Sequence, residues 1–246
     1  MEKIFFEIFE LLPRQGPGDD ASTKKAFQKL VELPKSPEIL DVGCGIGNQT
    51  LDLAKLTSGR ITALDIHSPF IEILKRNIGR SGYSGRINCV VGDMASMDFA
   101  DKSFDLIWAE GSVFIMGFEN AFKSWKRLLR PKGYMVVSDL VWFKENPPDE
   151  IKDFFVKIGA RMEHYKHIYS IIESAGYKLV DYFPLPDRSW WTDFYTPLKK
   201  VVTEMKIKYK GSNYVQPTFD MLQLQMDMHK KYCKYYGYGF YVMQVK

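Results

Sequence analysis

Ile39-Leu40-Asp41-Val42-Gly43-Cys44-Gly45-Ile46-Gly47-Asn48 decides how this chain is read. An apolar strand carrying an acid runs into three glycines spaced by single residues, and a helical pattern follows at Gln49–Leu56. Glycine lets the backbone turn tightly and lets a ligand reach the main chain without a Cβ in the way. The acid and the N–H groups at the start of the coming helix can then hold a cofactor's polar end. Dinucleotide sites favour G-x-G-x-x-G; here Gly43, Gly45 and Gly47 read G-x-G-x-G. A purely structural turn between strand and helix also uses glycine, so the loop alone does not decide its role.

Outward from the loop, strand and helix patterns alternate. Strand-like runs fall at Glu38–Val42, Arg60–Leu64, Arg86–Val91, Phe104–Trp108 and Gly133–Leu140, with helical patterns at Pro69–Ser81 and Ala121–Leu129 between them. Ala121, Phe122, Trp125, Leu128 and Leu129 give the spacing of a core-facing helix. This alternation predicts right-handed crossovers and a mostly parallel, doubly wound α/β sheet whose ligands bind beyond the carboxyl ends of the strands. A helix at Glu163–Ala175 and strands at Tyr177–Phe183 and Gly239–Val245 bring the sheet to seven strands, the last two forming an antiparallel edge. The fifty residues between those strands are too many for a structureless loop. Helical patterns at Val201–Lys208 and Phe219–Tyr232 make them a helical cap inserted before the last strand.

The expected organisation is a single domain over 1–246. Residues 1–35 form N-terminal helices and a lid loop, 36–186 the cofactor-binding core, 187–236 the cap, and 237–246 the final strand. At the amino end Ile4, Phe5, Ile8, Phe9, Leu11 and Leu12 share one side of a helix stopped by Pro13. Breakers follow in Arg14-Gln15-Gly16-Pro17-Gly18, then a helix at about 22–32 that Ser22 or Thr23 could cap.

Composition bounds the function. An apolar fraction of 46% supports a full core. A net charge of +4, with both signs interspersed, argues against a dedicated nucleic-acid surface. Cys44, Cys89 and Cys233 are odd in number and far apart, which suits free thiols in a reducing compartment. There is no apolar run long enough to span a bilayer, and Glu2, Glu7 and Glu10 interrupt any leader-like start. The expected location is the cytoplasm.

Four further landmarks stand in order with the glycine loop. Asp65 ends Ile61-Thr62-Ala63-Leu64-Asp65, where a carboxylate can accept from two ribose hydroxyls or simply cap the next helix. Gly92-Asp93-Met94 ends the third strand, and Phe104-Asp105-Leu106-Ile107-Trp108 leads into Ala109-Glu110-Gly111. Leu128-Leu129-Arg130-Pro131-Lys132-Gly133-Tyr134 then makes a helix–turn–strand passage. Over about residues 36–141 the set resembles the class I S-adenosylmethionine-dependent methyltransferases, in the branch of ubiquinone/menaquinone-type C-methyltransferases and small-molecule enzymes. Lys132 departs from it, standing where that family usually has the first of two glycines.

The resemblance implies a Rossmann-like methyltransferase fold, S-adenosyl-L-methionine as cofactor and S-adenosyl-L-homocysteine as product. It also implies a cofactor set of Gln15, Gly43, Gly45, Gly47, Asp65, Ile66, Asp93, Met94 and Glu110. In it Asp93 meets the adenine amine, Met94 packs on the ring, and Arg14 or Gln15 approaches the methionine carboxylate. A sulfonium makes its methyl electrophilic, so in-line positioning matters more than a strong base. Glu110 is the catalytic candidate if an oxygen or nitrogen acceptor needs a base, although a strand-end acid can equally be structural.

His164 and His167 lack the HExxH order and no acid or Cys cluster completes a metal site, so no metal is expected. The aromatics of the cap, with Trp190, Trp191, Tyr195 and Tyr236 foremost, either line an acceptor pocket or form the cap's own core. Ala109-Glu110-Gly111-Ser112 lacks the (N/D)PPY-like segment of nucleic-acid amino methyltransferases, and Asn146-Pro147-Pro148-Asp149 lacks the aromatic. The sequence thus predicts in-line methyl transfer to a small molecule, with no nucleic-acid partner and no stable membrane insertion. A lipid-quinone or macromolecular acceptor, a non-catalytic cofactor-binding module and a homodimer stay open.

Overall fold

The computed structural model describes residues 2–246; Met1, the first residue of the expected domain, lies outside the described residues. In chain order the elements are α1 (Glu2–Glu10), α2 (Asp20–Phe27), β1 (Glu38–Val42), α3 (Asn48–Leu56), β2 (Arg60–Asp65), α4 (Ser68–Ser81), β3 (Ile87–Val91), β4 (Phe104–Glu110), α5 (Phe118–Trp125), β5 (Leu129–Trp142), α6 (Asp149–Lys157), β6 (Glu163–His164), α7 (Tyr165–Ser174) and β7 (Tyr177–Pro184). There follow α8 (Arg188–Trp190), a π turn (Trp191–Tyr195), α9 (Thr196–Lys208), α10 (Gln216–Tyr232) and β8 (Tyr236–Val245). The sheet runs β3-β2-β1-β4-β5-β8-β7, and the two-residue β6 pairs with β5 off that path. Neighbours from β3 to β5 are parallel, whereas β8 is antiparallel to both β5 and β7. The doubly wound reading therefore stands.

The two late strands form the expected antiparallel edge, with β7 outermost: β8 threads between β5 and β7, from Tyr134 opposite Gln244 to Trp142 opposite Tyr236. Its residues Gly237–Met243 are almost all apolar or aromatic and buried, as a strand covered on both faces requires.

Period-two alternation sorts the side chains into two cores. Val136, Phe240 and Val242 face one side with Trp108, α1 and the cap; Met135, Val137, Tyr241 and Met243 face the other with α5 and α7. The cap fills residues 188–232 between β7 and β8, and α9 packs on α1.

Three local expectations shift. The second helix starts at Asp20 and is capped by Asp19, whose Oδ1 accepts from Ser22 N at 2.6 Å, leaving Thr23 free for another partner. Asp149–Lys157 is helical although its signals were passed over: Pro148 precedes it, Asp149 and Glu150 sit in its first turn, and Ile151, Phe154 and Phe155 are buried. The strand expected from Gly133 begins at Leu129, and residues 130–133 bulge where the β4–β5 register breaks between Phe104 and Leu106. At that bulge Lys132 takes φ of 60°, the left-handed conformation that glycine adopts at little cost.

Candidate functional site

Gly43, Gly45 and Gly47 all have positive φ, at 72°, 54° and 90°. A Cβ at Gly43 would lie 2.5 Å from the Ser112 Cβ, and one at Gly45 would lie 2.8 Å from the Gln15 Oε1. The loop is thus both conformationally and sterically reserved for glycine. Its amides are directed outward from β1 in turn: Gly43 N and Cys44 N donate to Leu64 O, Gly45 N to Asp65 Oδ2 at 2.9 Å, and Ile46 N to Gln15 Oε1 at 3.1 Å.

Asp41 does not reach a ligand. It is wholly buried under the loop, accepting from Thr50 Oγ1 at 2.5 Å and Gln49 Nε2 at 3.4 Å, so it staples the loop to α3. Burial pushes its carboxyl up to about 7. The part expected of a strand acid at the cofactor's polar end therefore does not fall to Asp41.

Asp65 ends β2 half-exposed, its Oδ1 accepting from His67 N at 2.8 Å, and burial raises its carboxyl above the ordinary range. Ile66 beside it is 63% exposed, a free apolar surface at the strand's exit. Asp93 ends the third strand region and accepts from Ala95 N at 2.8 Å, as a turn-forming Asp does. Met94 is buried below the loop, and Trp125 Nε1 donates to its carbonyl at 3.0 Å. Gln15, the three glycines and Asp65 therefore share one hydrogen-bonded cradle, with Ile66, Asp93 and Met94 at the neighbouring strand ends. The cradle fits the nucleoside cofactor that the motifs imply: a bare main chain, a carboxylate beside it and apolar surface next to that.

Glu110 is enclosed. Its Oε2 accepts from Arg14 at 2.8 Å, and its Oε1 accepts from Thr23 Oγ1 at 2.7 Å and Trp108 Nε1 at 2.9 Å. The ion pair is buried on both sides, with side-chain exposures of 10% and 4%. Arg14 lies on a strap, residues 13–19, tied down along its length. Asn48 donates to Pro13 O, Gln15 donates to Phe9 O and Leu12 O, and Ser189 Oγ donates to Asp19 Oδ2. The strap so joins the cradle to the first turn of the cap.

In the cap Trp190, Tyr195 and Tyr236 are buried and Trp191 half-buried, brought together around a residue the sequence reading missed, His229. Its Nε2 lies 3.0 Å from Asp187 Oδ1 and its Nδ1 3.3 Å from Tyr236 Oη; the Trp190 ring stacks on it at 4.1 Å. Burial, outweighing the Asp187 carboxylate, pushes the imidazole down to about 4. A signal existed: Leu222, Met226 and His229 share one buried face of α10. Among the described residues the buried Ser138 hydroxyl finds no hydrogen-bond partner, and Ser138 stands opposite Glu110 across the β4–β5 register.

Asp139, next along β5, is buried, accepts from Phe114 N and Leu140 N, and is likewise raised to about 7 by desolvation. His164 is half-buried in β6, where its side chain caps α7 through Lys166 N, and His167 is exposed on α7, both away from the cradle strands. Among the described residues no three His, Cys, Asp or Glu side chains are placed to hold a metal, and no helix is long and apolar enough to cross a membrane.

Residues 40–137 match the family model described as a methyltransferase domain. A sterol 24-C-methyltransferase of Neurospora crassa is 27% identical over 176 residues, 68% of this chain and 46% of that protein. A ubiquinone/menaquinone biosynthesis C-methyltransferase of Geotalea daltonii is 33% identical over 123 residues, 49% of this chain and 52% of its own length. The chain thus spans about half the length of these curated relatives. A crystal structure of an S-adenosylmethionine-dependent methyltransferase from Thiobacillus denitrificans, in complex with S-adenosyl-L-homocysteine, superposes with a TM-score of 0.85 at 17% identity. That superposition covers all of this chain and 99% of that one. The resemblance read from the motifs is borne out: residues 40–137 match a methyltransferase domain, and the chain shares the fold of a solved S-adenosylmethionine-dependent methyltransferase.

Proposed function

We propose that this chain, built on a class I S-adenosylmethionine-dependent methyltransferase domain, transfers a methyl group from that cofactor to a small-molecule acceptor. The observation that carries the reading is the cradle itself: glycine backbone with positive φ at 43, 45 and 47, ringed by Gln15 and Asp65. In it Asp65 would hold the ribose hydroxyls, Ile66 and Met94 would flank the adenine, Asp93 would meet its amine, and Gln15 would face the methionine end. The bound cofactor supplies an electrophilic methyl group.

The chain's own residues supply placement and exclusion of water. The strap carries Gln15 onto the loop and Arg14 onto Glu110, closing the site on one side, while Trp190, Trp191, Tyr195 and Tyr236 close it on the cap side. Glu110 is held by three donors, the Arg14 guanidinium, the Thr23 hydroxyl and the Trp108 indole, so we read it as the anchor of the strap, a positioning residue, in place of a base.

A second reading follows from the relatives, a sterol C-methyltransferase and a ubiquinone/menaquinone biosynthesis C-methyltransferase: an apolar, lipid-like acceptor, which the aromatic cap also suits. Calorimetry with S-adenosyl-L-homocysteine is expected to show saturable one-to-one binding; a flat titration overturns the proposal. Incubating labelled cofactor with aqueous and organic metabolite fractions then separates the two acceptor classes by the phase into which label passes.

A further inference from the structure

Beyond the cradle lies a second cavity that the methyl-transfer reading does not use. β6 pairs with β5 at Val141–Glu163 and Trp142–His164, past the point where β4 ends opposite Ser138. From Ser138 to Trp142 is roughly 13 Å along the strand. There an open cavity of about 580 Å³ is lined by Phe143, Tyr165, Tyr235 and His164 and by Lys144, Lys166 and Lys234. Phe143 and Tyr165 pack against the core on the sheet face opposite Trp108 and Tyr235 against the core on the Trp108 face, and none of the lining residues belongs to the cradle or the strap.

Its walls are fixed. Phe143 N donates to Tyr235 O at 2.8 Å, and a Cβ at Gly237 would meet the Phe143 ring at 2.8 Å. Tyr165 stacks on Tyr182 at 5.0 Å, and its carbonyl accepts from Tyr241 Oη at 3.2 Å. The charge is not balanced from within. Glu145 is the single carboxylate in the lining, while Glu163 close by is turned to His167 at 3.9 Å. Other lysines of this side have acidic partners, Lys231 with Glu150 at 2.6 Å and Lys152 with Asp149 at 2.7 Å. Among the described residues no carboxylate lies within 4 Å of Lys144, Lys166 or Lys234 in an ion pair. Lys166 lies 5.9 Å from the Tyr165 ring centroid. Three like charges around one concave mouth focus a positive potential into it, and flat apolar walls accept a ring. The volume suits a small ligand.

We propose that this cavity binds a small anionic molecule with a planar ring, its carboxylate or phosphate held by Lys144, Lys166 and Lys234 and its ring against Phe143 and Tyr235. The site is independent of the cofactor cradle, and its test can fail without touching the methyltransferase reading. The probes are phenyl phosphate, inorganic phosphate and phenol, titrated calorimetrically into the full chain. Phenyl phosphate is expected to bind saturably and at least tenfold more tightly than either of the others, with or without saturating S-adenosyl-L-homocysteine. The triple variant Lys144→Gln, Lys166→Gln, Lys234→Gln is expected to lose at least tenfold in phenyl phosphate affinity while its S-adenosyl-L-homocysteine titration stays unchanged. The three lysines are exposed, so the variant folds, and circular dichroism checks that. No saturable binding to the wild type, undiminished binding to the variant, or displacement by S-adenosyl-L-homocysteine overturns the proposal.

Discussion

The cradle lies at the carboxyl ends of β1 and β2 and the cap between β7 and β8, joined through the strap, yet they are assembled from different material. The cradle is main chain: positive-φ glycines and the amides of Gly45 and Ile46, with Asp65 twenty residues on from Gly45. The cap is side chain: Trp190, Tyr195, His229 and Tyr236 hold one another, and the strap joins it through Asp19 and Ser189, 170 residues apart. Backbone geometry suits a ligand whose shape never changes. Side-chain packing can be refitted residue by residue, so the cap is where acceptor choice can vary while the cradle stays the same.

The sharpest test of that division is Glu110, which anchors the strap that joins the two regions. Glu110→Ala would leave Arg14 buried without its counter-ion, and the expected cost is about 3–5 kcal/mol, read by urea unfolding at neutral pH. Wild-type stability together with lost turnover would instead make Glu110 part of the chemistry. Next in size, Asp65→Ala should weaken S-adenosyl-L-homocysteine binding by about 2–3 kcal/mol, roughly 100-fold, since charge-assisted ribose bonds are lost. His229→Phe should leave that affinity within about threefold. Equal losses in the two variants would dissolve the distinction between cradle and cap.

A subtler contrast is electrostatic. Asp41 under the cradle is raised to about 7, so the fold retains a proton that the unfolded chain sheds near its ordinary value of 3.8. Its stabilising contribution is full below about pH 4 and is lost as pH rises through 7. His229 in the cap is depressed to about 4 from 6.5, so its contribution is present above pH 6.5 and is lost as pH falls through 4. Each proton is worth up to about 1.4 kcal/mol per pH unit within its window. Unfolding followed from pH 4 to 8 should therefore lose alkaline slope in Asp41→Asn and acid slope in His229→Phe; the opposite pairing sinks this account. Smallest, Lys132→Gly relieves a left-handed lysine at the far end of β5 and should stabilise by about 0.5–1 kcal/mol. It should leave cofactor affinity and both pH limbs unchanged, as a control remote from either region.

What could be read in advance followed the same division. The strands and the parallel crossovers between them came from local alternation, and the loop from its glycines, because those preferences are written within a few residues. Asp41 was misplaced because the same spacing serves a ligand or Thr50, and only packing chooses between them. The Arg14–Glu110 pair spans 96 residues, so no window of sequence contains it. His229 shares an apolar face with Leu222 and Met226, a pattern that was legible and passed over. The burial of β8 inside the sheet depends on which neighbour wins the pairing with β5, a global competition without a local signature.

That inner strand carries a consequence for how the protein is made. β5 and β7 never pair directly, because β8 fills the gap between them, and β8 is the last element in the chain order. During synthesis β7 therefore has no seat in the sheet until Tyr236–Val245 has left the ribosome, and Met135, Val137 and their neighbours present an unfilled edge meanwhile. A late, sequence-distant closure of this kind is slow and open to wrong pairing between nascent chains. Shielding by chaperones, and sensitivity of yield to changes in Tyr236–Val245, are what such an assembly order demands of the cell.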